Sequence, residues 1–305
     1  MKKIVSMLLT LALLLGLASF ASAEDYAMKV TAPAGAPALA LATLAVENPD
    51  NYTFVAADTI AAAFAAGEAD FIIAPLNAGA KLYKAGKSTY RMAAVVSWGN
   101  LYFASQKADF KLEDLNGAAV TLFGEGTINA SIAQYLLAEK GIAPASVEYL
   151  AGAADTQKLL LSDAEAIVLT AEPALTAAKM NNENVQGIAI NDLYKEVAGY
   201  EGFTQAALFV RAETAAEHPE AVKEYLAAVA ESCGKAETDL EAVAEAAVAL
   251  EILPKVPVAM KAIPNCAIRF VAAPDAKEQV EITAKIDLSQ YGGEVPADDF
   301  YYAAE

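Results

Sequence analysis

The chain has 305 residues, 56% of them hydrophobic, and a formal net charge of −18 at pH 7. Such an acidic chain has few Lys and Arg side chains to neutralise phosphate, which disfavours nucleic acid and anionic membrane surfaces as partners. The length is sufficient for two lobes of ordinary domain size. The charge places little restriction on a small ligand, because a binding pocket sets its own local field.

The chain begins with the pattern of an export signal. Lys2 and Lys3 precede an apolar run over residues 4–17, which is too short to span a bilayer as a stable helix. An Ala-Ser-Ala motif at residues 21–23 is typical of a signal peptidase site. The expected mature protein therefore starts at Glu24 and is periplasmic or secreted. A membrane anchor or a buried first helix is the alternative for residues 1–23.

From residue 26 onward, short apolar segments alternate with longer helical ones, which predicts an α/β fold. The predicted strands cover residues 27–32, 52–57, 69–74, 91–97, 118–123, 147–150, 166–169, 186–190 and 203–210. The predicted helices cover residues 38–47, 59–66, 76–85, 129–140, 155–161, 173–180, 219–232 and 239–250. The pattern assigns no element after residue 250.

The order of these elements predicts two lobes. One block of strand–helix units is interrupted by a second block and then resumes. Lobe 1 is expected over residues 24–104 and 207–305, and lobe 2 over residues 105–206. A chain that crosses twice between two lobes forms a hinge, which allows the lobes to close on a ligand.

The residues that commonly carry catalysis or bind metals are scarce. His218 is the only histidine, so neither a Ser-His-Asp nor a Cys-His mechanism has a placed base, and we expect no catalytic residues. The two cysteines, Cys233 and Cys266, either form one disulfide in an oxidising compartment or are buried free thiols. Without a Cys-x-x-Cys motif or a second histidine, we expect no metal site and no cofactor.

Five short segments occur in the order seen in a known family. They are Ala-Asp-Phe-Ile-Ile-Ala-Pro at 69–75, Trp-Gly-Asn-Leu-Tyr-Phe at 98–103, Leu-Glu-Asp-Leu-Asn-Gly at 112–117, Thr-Ala-Glu-Pro at 170–173 and Asp-Asp-Phe-Tyr-Tyr at 298–302. Together with the export signal, they resemble the substrate-binding proteins of ABC importers, in the branch related to sulfonate-, nitrate-, taurine- and thiamine-precursor-binding proteins.

This resemblance covers residues 26–302 and implies a two-lobed periplasmic-binding-protein type II fold. Such a protein, expected as a monomer, closes on a small-molecule solute and presents it to an ABC permease in the membrane. Many relatives from single-membraned bacteria carry a lipid-anchored Cys at the mature N-terminus, and this chain has none there, which favours a free periplasmic protein. An exported sensory module and an enzyme on the same fold are the alternatives.

Ligands of open α/β sheets bind at the carboxyl ends of strands, which selects three loops of lobe 1. The first contains Gly35 and Ala36, where N–H groups at a helix start attract an anion, unless it is a plain tight loop. In the second, Asn77 either contacts a ligand or caps the following helix. In the third, Trp98 precedes Asn100 and either forms a wall for a planar ring or packs in the core.

Two further sites are expected in lobe 2. Gly126 and Thr127 resemble an anion cradle, although the segment lacks the remaining glycine and the acidic partner of a dinucleotide fingerprint and the Lys of a P-loop. Thr170 and Glu172 end a strand, and Glu172 either accepts from an amine or ring N–H or is solvated. The returning segment 202–205 is expected to add a contact. Because these loops carry no Arg or Lys, a sulfonate-like anion and a thiamine-precursor-like heterocycle both remain open.

Overall fold

A computed structural model describes residues 26–304. The predicted export signal and cleavage site lie outside the described residues. Among residues 26–304, no helix combines the length and the apolar character needed to cross a membrane.

The strands of the described residues form two mixed sheets. They are β1 (Val30–Pro33), β2 (Tyr52–Val55), β3 (Phe71–Pro75), β4 (Tyr90–Ser97), β5 (Leu101–Ser105), β6 (Ala119–Phe123), β7 (Ser146–Leu150), β8 (Ile167–Ala171), β9 (Gln186–Ala189), β10 (Ala206–Arg211) and β11 (Ile268–Ala272). The first sheet has the order β11-β4-β10-β3-β1-β2, and the second has the order β7-β6-β8-β5-β9.

Helices cover both sheets. The α-helices are α1 (Ala42–Glu47), α2 (Ile60–Ala66), α3 (Leu76–Lys84), α4 (Ile128–Glu139), α5 (Ala153–Ser162), α6 (Ala174–Asn181), α7 (Ile190–Ala198), α8 (Ala212–Glu217), α9 (Pro219–Thr238), α10 (Leu240–Ala249), α11 (Val256–Ala262) and α12 (Ala273–Ile286). Short 3-10 helices cover Ala36–Leu41, Pro49–Asn51, Leu112–Leu115, Ile263–Asn265, Leu288–Tyr291 and Asp298–Phe300.

Strand pairing combines parallel strand–helix units with a returning antiparallel strand. In the first sheet, β1 pairs in parallel with β2 and β3, while β10 lies antiparallel between β3 and β4. In the second sheet, β6 pairs in parallel with β7 and β8, and β5 lies antiparallel between β8 and β9. The carboxyl ends of β1 and β3 therefore meet at one edge of the first sheet.

The central strands of the first sheet are buried on both faces and are mostly apolar, whereas its edge strands β2 and β11 are partly exposed. Successive side chains point to opposite faces of a strand, so Ile72 and Ile73 enter two different hydrophobic clusters, as do Leu208 and Phe209. The cluster that contains Ile72 continues into the second sheet through Phe103. Full burial of each such side chain contributes about 1.5–3 kcal/mol, so these strands fix the position of the loops at their ends.

The two crossings between the sheets lie against each other. A Cβ atom at Gly99 would lie 2.4 Å from the ring of Phe203, and one at Gly202 would lie 2.2 Å from the carbonyl oxygen of Trp98. Gly99 also has a φ of +84°, in the left-handed region that favours glycine. Residues without a side chain are therefore required where the crossing segments meet.

The chain leaves the first sheet after Ser97 and returns to it at Ala206. Strand β5 pairs within the second sheet, so the change of sheet precedes it, whereas the predicted boundary falls at residue 104. The division into lobes at residues 104 and 206 stays a prediction.

Several elements differ from the sequence-based expectation. The first helix begins as a 3-10 turn over Ala36–Leu41, with a Pro in its first turn. Helices α7, α8, α11 and α12 and strand β11 were not predicted. Helix α7 follows β9 without an intervening turn residue, so the local pattern has no boundary between them.

The structure distinguishes between the two readings of the cysteines. Cys233 and Cys266 are both free and buried. Both lie in the same hydrophobic cluster, and their thiols contact the backbone carbonyl groups of Ala40 and Ala262 respectively. The alternative of two buried thiols is therefore the one that the structure adopts.

Candidate functional site

A cavity of about 360 Å³ lies where the carboxyl ends of β1 and β3 face the carboxyl end of β6. It receives residues from both sheets and from the segment after α12. The lining residues are Pro33, Ala34, Pro37, Ala57, Pro75, Asn77, Ala78, Asn100, Gly126, Thr127, Ile128, Asn129, Gln205, Ala206 and Gln290. Its polar side chains are amides and one hydroxyl, and none of the lining residues is ionisable.

Two α-helices begin at this cavity, one from each sheet. Helix α3 follows directly after Pro75, which ends β3, and α4 follows the loop between Gly124 and Thr127. The first-turn N–H groups of a helix have no partner within that helix, and they carry a partial positive charge. The N–H of Leu76 donates to the carbonyl oxygen of Gln205 at 3.0 Å, whereas the other first-turn N–H groups can supply donors to the cavity from both sheets, without any cationic side chain among the lining residues.

One network of hydrogen bonds joins the two crossings at the base of the cavity. The Nε2 atom of Gln205 donates to Oδ1 of Asn100 at 3.0 Å and to Oδ1 of Asn129 at 3.3 Å. Its Oε1 atom accepts from the hydroxyl of Ser97 at 3.1 Å. The Nδ2 atom of Asn100 donates to the carbonyl oxygen of Glu172 at 2.9 Å. Gln205 thus connects both crossings to the start of α4.

A second network joins the two sides of the cavity at its edge. The Nε2 atom of Gln290 donates to the carbonyl oxygen of Gly126 at 2.7 Å, and its Oε1 atom accepts from Nδ2 of Asn77 at 3.5 Å. Nearby, the hydroxyl of Ser131 donates to the carboxylate of Asp287 at 2.6 Å. These contacts hold the segment after α12 against the start of α4, so the two sides of the cavity are closed on each other.

Four of the predicted site residues line this cavity. They are Asn77, Asn100, Gly126 and Thr127. The amide nitrogen of Asn77 donates to Gln290 and its amide oxygen has no partner, so helix capping does not account for Asn77. The loop that contains Gly35 and Ala36 reaches the cavity through Pro33, Ala34 and Pro37, and neither predicted residue is itself among the lining residues.

Trp98 is not among the residues that line this cavity. Its side chain is 2% exposed, and its indole N–H donates to the carbonyl oxygen of Arg269 at 2.8 Å. The guanidinium carbon of Arg269 lies 4.4 Å from the ring centroid. Because protein groups cover the ring, it has no free face for a planar ligand, and the alternative of core packing describes it.

Thr170 and Glu172 are also displaced from the predicted pocket. Thr170 is fully buried in β8, where its hydroxyl donates to the carbonyl oxygen of Ala153 at 3.5 Å. Glu172 is 4% exposed and accepts from the backbone N–H of Thr176 at 3.1 Å and from its hydroxyl at 3.0 Å. Burial raises the pKa of Glu172, and these two bonds oppose that shift. Its carboxylate is therefore bound to the first turn of α6 rather than solvated.

The structure adds polar residues that the prediction did not commit to. Asn129 is the first residue of the helix predicted over residues 129–140 and was assigned no role, although it stands two positions after Thr127. Gln205 ends the returning segment that was expected to add a contact. Gln290 lies in a region to which the pattern assigned no element. His218, in contrast, lies outside the cavity, with its ring centroid 3.9 Å from that of Tyr26.

Known structures share this architecture over nearly the whole chain. A structure described as an ABC transporter from Parabacteroides distasonis has a TM-score of 0.78 and 22% identity, and covers 91% of this chain and 99% of that chain. The periplasmic aliphatic sulphonate binding protein SsuA from Escherichia coli has a TM-score of 0.71 and 14% identity, over 91% and 92% of the two chains. The alkanesulfonate-binding protein SsuA from Xanthomonas axonopodis pv. citri, bound to MOPS, has a TM-score of 0.64 and 15% identity, over 90% and 97%.

These likenesses define the class of fold. The chain has the two-lobed type II periplasmic-binding-protein fold, as the sequence predicted. Residues 100–239 match the model of the family described as NMT1/THI5 like, which confirms over that stretch the resemblance drawn from the sequence. No curated protein matches the chain.

Proposed function

We propose that this protein is the extracytoplasmic solute-binding component of an ABC importer. It captures one small organic solute between its two lobes and delivers it unchanged to a membrane permease. The observation that carries the proposal is the cavity of about 360 Å³, to which both sheets and the crossing segments contribute residues. A ligand held there contacts both lobes at once, so its binding favours the closed arrangement of the hinge.

The chemistry of the wall supports binding rather than catalysis. Within the described lining there is no Ser-His pair, no carboxylate and no cysteine, so the one hydroxyl, that of Thr127, has no general base beside it to activate it as a nucleophile. The likeness to structures described as sulfonate-binding proteins and as an ABC transporter supports the same function. A sulfonate-like anion held by the two helix starts and a thiamine-precursor-like heterocycle are the proposed solute classes.

The test is a thermal-shift screen of residues 24–305 against alkanesulfonates, nitrate, aminopyrimidines, amino acids and organic acids. A true ligand binds the folded state selectively and raises the unfolding midpoint as its concentration rises. Mass spectrometry of the released solute then shows whether it is recovered intact. A ligand that is chemically converted overturns the transport proposal, and the absence of any ligand across the screen overturns solute binding.

A pair of variants on one helix places the binding event. Ala78 lines the cavity, whereas Ala85 is exposed and directly follows the other end of α3. Ala78→Phe introduces a ring into the cavity and is expected to abolish the ligand-induced shift. Ala85→Phe adds the same ring outside the cavity and is expected to retain the shift. A wild-type response of Ala78→Phe would place the ligand elsewhere.

A further inference from the structure

In the amide network around Gln205, a backbone carbonyl group determines which side-chain atoms donate and which accept. A carbonyl group can only accept, so the bond to the Glu172 carbonyl requires the amide nitrogen of Asn100 on that side. Oδ1 of Asn100 is then an acceptor, and Nε2 of Gln205 must be the donor that faces it. The second hydrogen of that nitrogen goes to Oδ1 of Asn129, which leaves the amide nitrogen of Asn129 as a donor.

The second network is directed in the same way. The carbonyl group of Gly126 requires Nε2 of Gln290 as its donor, so Oε1 of Gln290 faces Nδ2 of Asn77. The remaining atom of that amide, Oδ1 of Asn77, is buried and has no hydrogen-bond partner. Buried polar atoms are nearly always paired in native proteins, so this oxygen is an acceptor that lacks its donor.

Thr127 adds a second acceptor to the wall. Its hydroxyl has one hydrogen, which it donates to the carbonyl oxygen of Gly124 at 2.6 Å. Towards any other group this oxygen can therefore only accept. No Lys or Arg lies among the lining residues of the described chain that would supply hydrogens to these two oxygens.

We infer that the solute itself donates at least one hydrogen bond, from an N–H or O–H group, to the wall formed by Asn77 and Thr127. This inference rests on the proposed function and narrows its solute class. The starts of α3 and α4, together with the amide nitrogen of Asn129, supply donors for an acceptor group of the same solute. A solute with acceptors only, such as nitrate or an unsubstituted alkanesulfonate, places its lone pairs against Oδ1 of Asn77 and the hydroxyl oxygen of Thr127. These oxygens then stay without a donor, which weakens the binding of such a solute.

Isosteric pairs of solutes provide the test. Methanesulfonamide and methanesulfonate differ by one –NH₂ group in place of a charged oxygen, and benzenesulfonamide and benzenesulfonate form a larger pair. Titration calorimetry at pH 7 is expected to give at least about tenfold tighter binding of the sulfonamide, which is the ratio for one favourable hydrogen bond. Equal or tighter binding of the sulfonate overturns the inference while the proposed function stands. If neither pair binds, the ligand identified by the thermal-shift screen provides the test. The inference is overturned if that ligand has no N–H or O–H group.

Variants assign the preference to the wall. Thr127→Val removes one acceptor, and Asn77→Leu removes the other with its amide, so each is expected to reduce the ratio of the two affinities by about threefold or more. Thr238→Val is the matched control, because this exposed hydroxyl also donates to a glycine carbonyl, that of Gly234, and its loss leaves the ratio unchanged. Where one cavity variant fails to fold, the other supplies the same readout. An unchanged ratio in a folded cavity variant overturns the inference.

Discussion

Replacing Gln205 by Met, which has a similar length but no amide, is expected to destabilise the protein measurably. The substitution leaves three side-chain groups without their partner, namely the amide oxygens of Asn100 and Asn129 and the hydroxyl of Ser97. A neutral hydrogen bond contributes about 0.5–1.5 kcal/mol net, and the side of Gln205 that faces the cavity lets water compensate part of the loss. We therefore expect the free energy of unfolding to fall by about 2–3 kcal/mol.

Urea unfolding followed by tryptophan fluorescence measures this change. Trp98 is the only tryptophan and is 2% exposed, so its emission reports the loss of the structure between the crossings. The midpoint should shift without a change in the slope of the transition. Gln134→Met is the control, because Gln134 is exposed and donates only to the hydroxyl of Tyr149, and it should remain within about 0.5 kcal/mol of the wild type. If Gln205→Met also remained in that range, the network would not stabilise the crossings.

Three further results follow from buried groups. Trp98→Phe removes the bond to the Arg269 carbonyl and should lower the free energy of unfolding by about 1–3 kcal/mol, measured in urea by circular dichroism because this variant has no tryptophan. Its ligand affinity should be retained, and a lost affinity would return this residue to the site. Because burial raises the pKa of Glu172, the folded state binds this proton more tightly than the unfolded state, so its contribution to stability falls as pH rises through the folded pKa. Glu172→Gln should therefore flatten the stability profile above about pH 4.5, and an unaltered profile from pH titration of the urea midpoint would contradict this. Burial raises the pKa of the Cys233 thiol to about 12 and raises that of the Cys266 thiol well above its ordinary value. A thiol reagent at pH 8 should therefore label neither cysteine in the native protein and both cysteines after unfolding. An absence of labelling after unfolding would indicate a disulfide.

The site residues that could be predicted are those that follow a strand directly. Asn77 comes two positions after the end of β3, and Gly126 and Thr127 follow β6 within one short loop. For such residues the local pattern and the strand-end rule together determine the position. The fold class was predictable for the same reason, since alternating strands and helices restrict the sheet to a few topologies.

The residues that were missed depend on partners far away in the sequence. Gln290 reaches the cavity only because the segment after α12 packs against the start of α4, and its partner Gly126 lies 164 positions earlier. Trp98 precedes a predicted loop, so the sequence was compatible with both a ligand-facing wall and core packing. Its hydrogen bond to the backbone of Arg269, 171 positions later, favours packing. Contacts between residues so far apart in the sequence leave no trace in a local pattern, so composition and hydrophobic periodicity cannot predict them.

The position of β10 has a consequence for the order in which the chain folds. This strand lies between β3 and β4, yet it is synthesised only after the whole inserted sheet. Until Arg211 is available, β4 has neither of its neighbours, since β11 comes later still. Closing so long a loop is entropically unfavourable and slow, and the first lobe cannot complete its sheet as an independent early unit. The first sheet can therefore be complete only after the inserted sheet, β10 and β11 have all been synthesised.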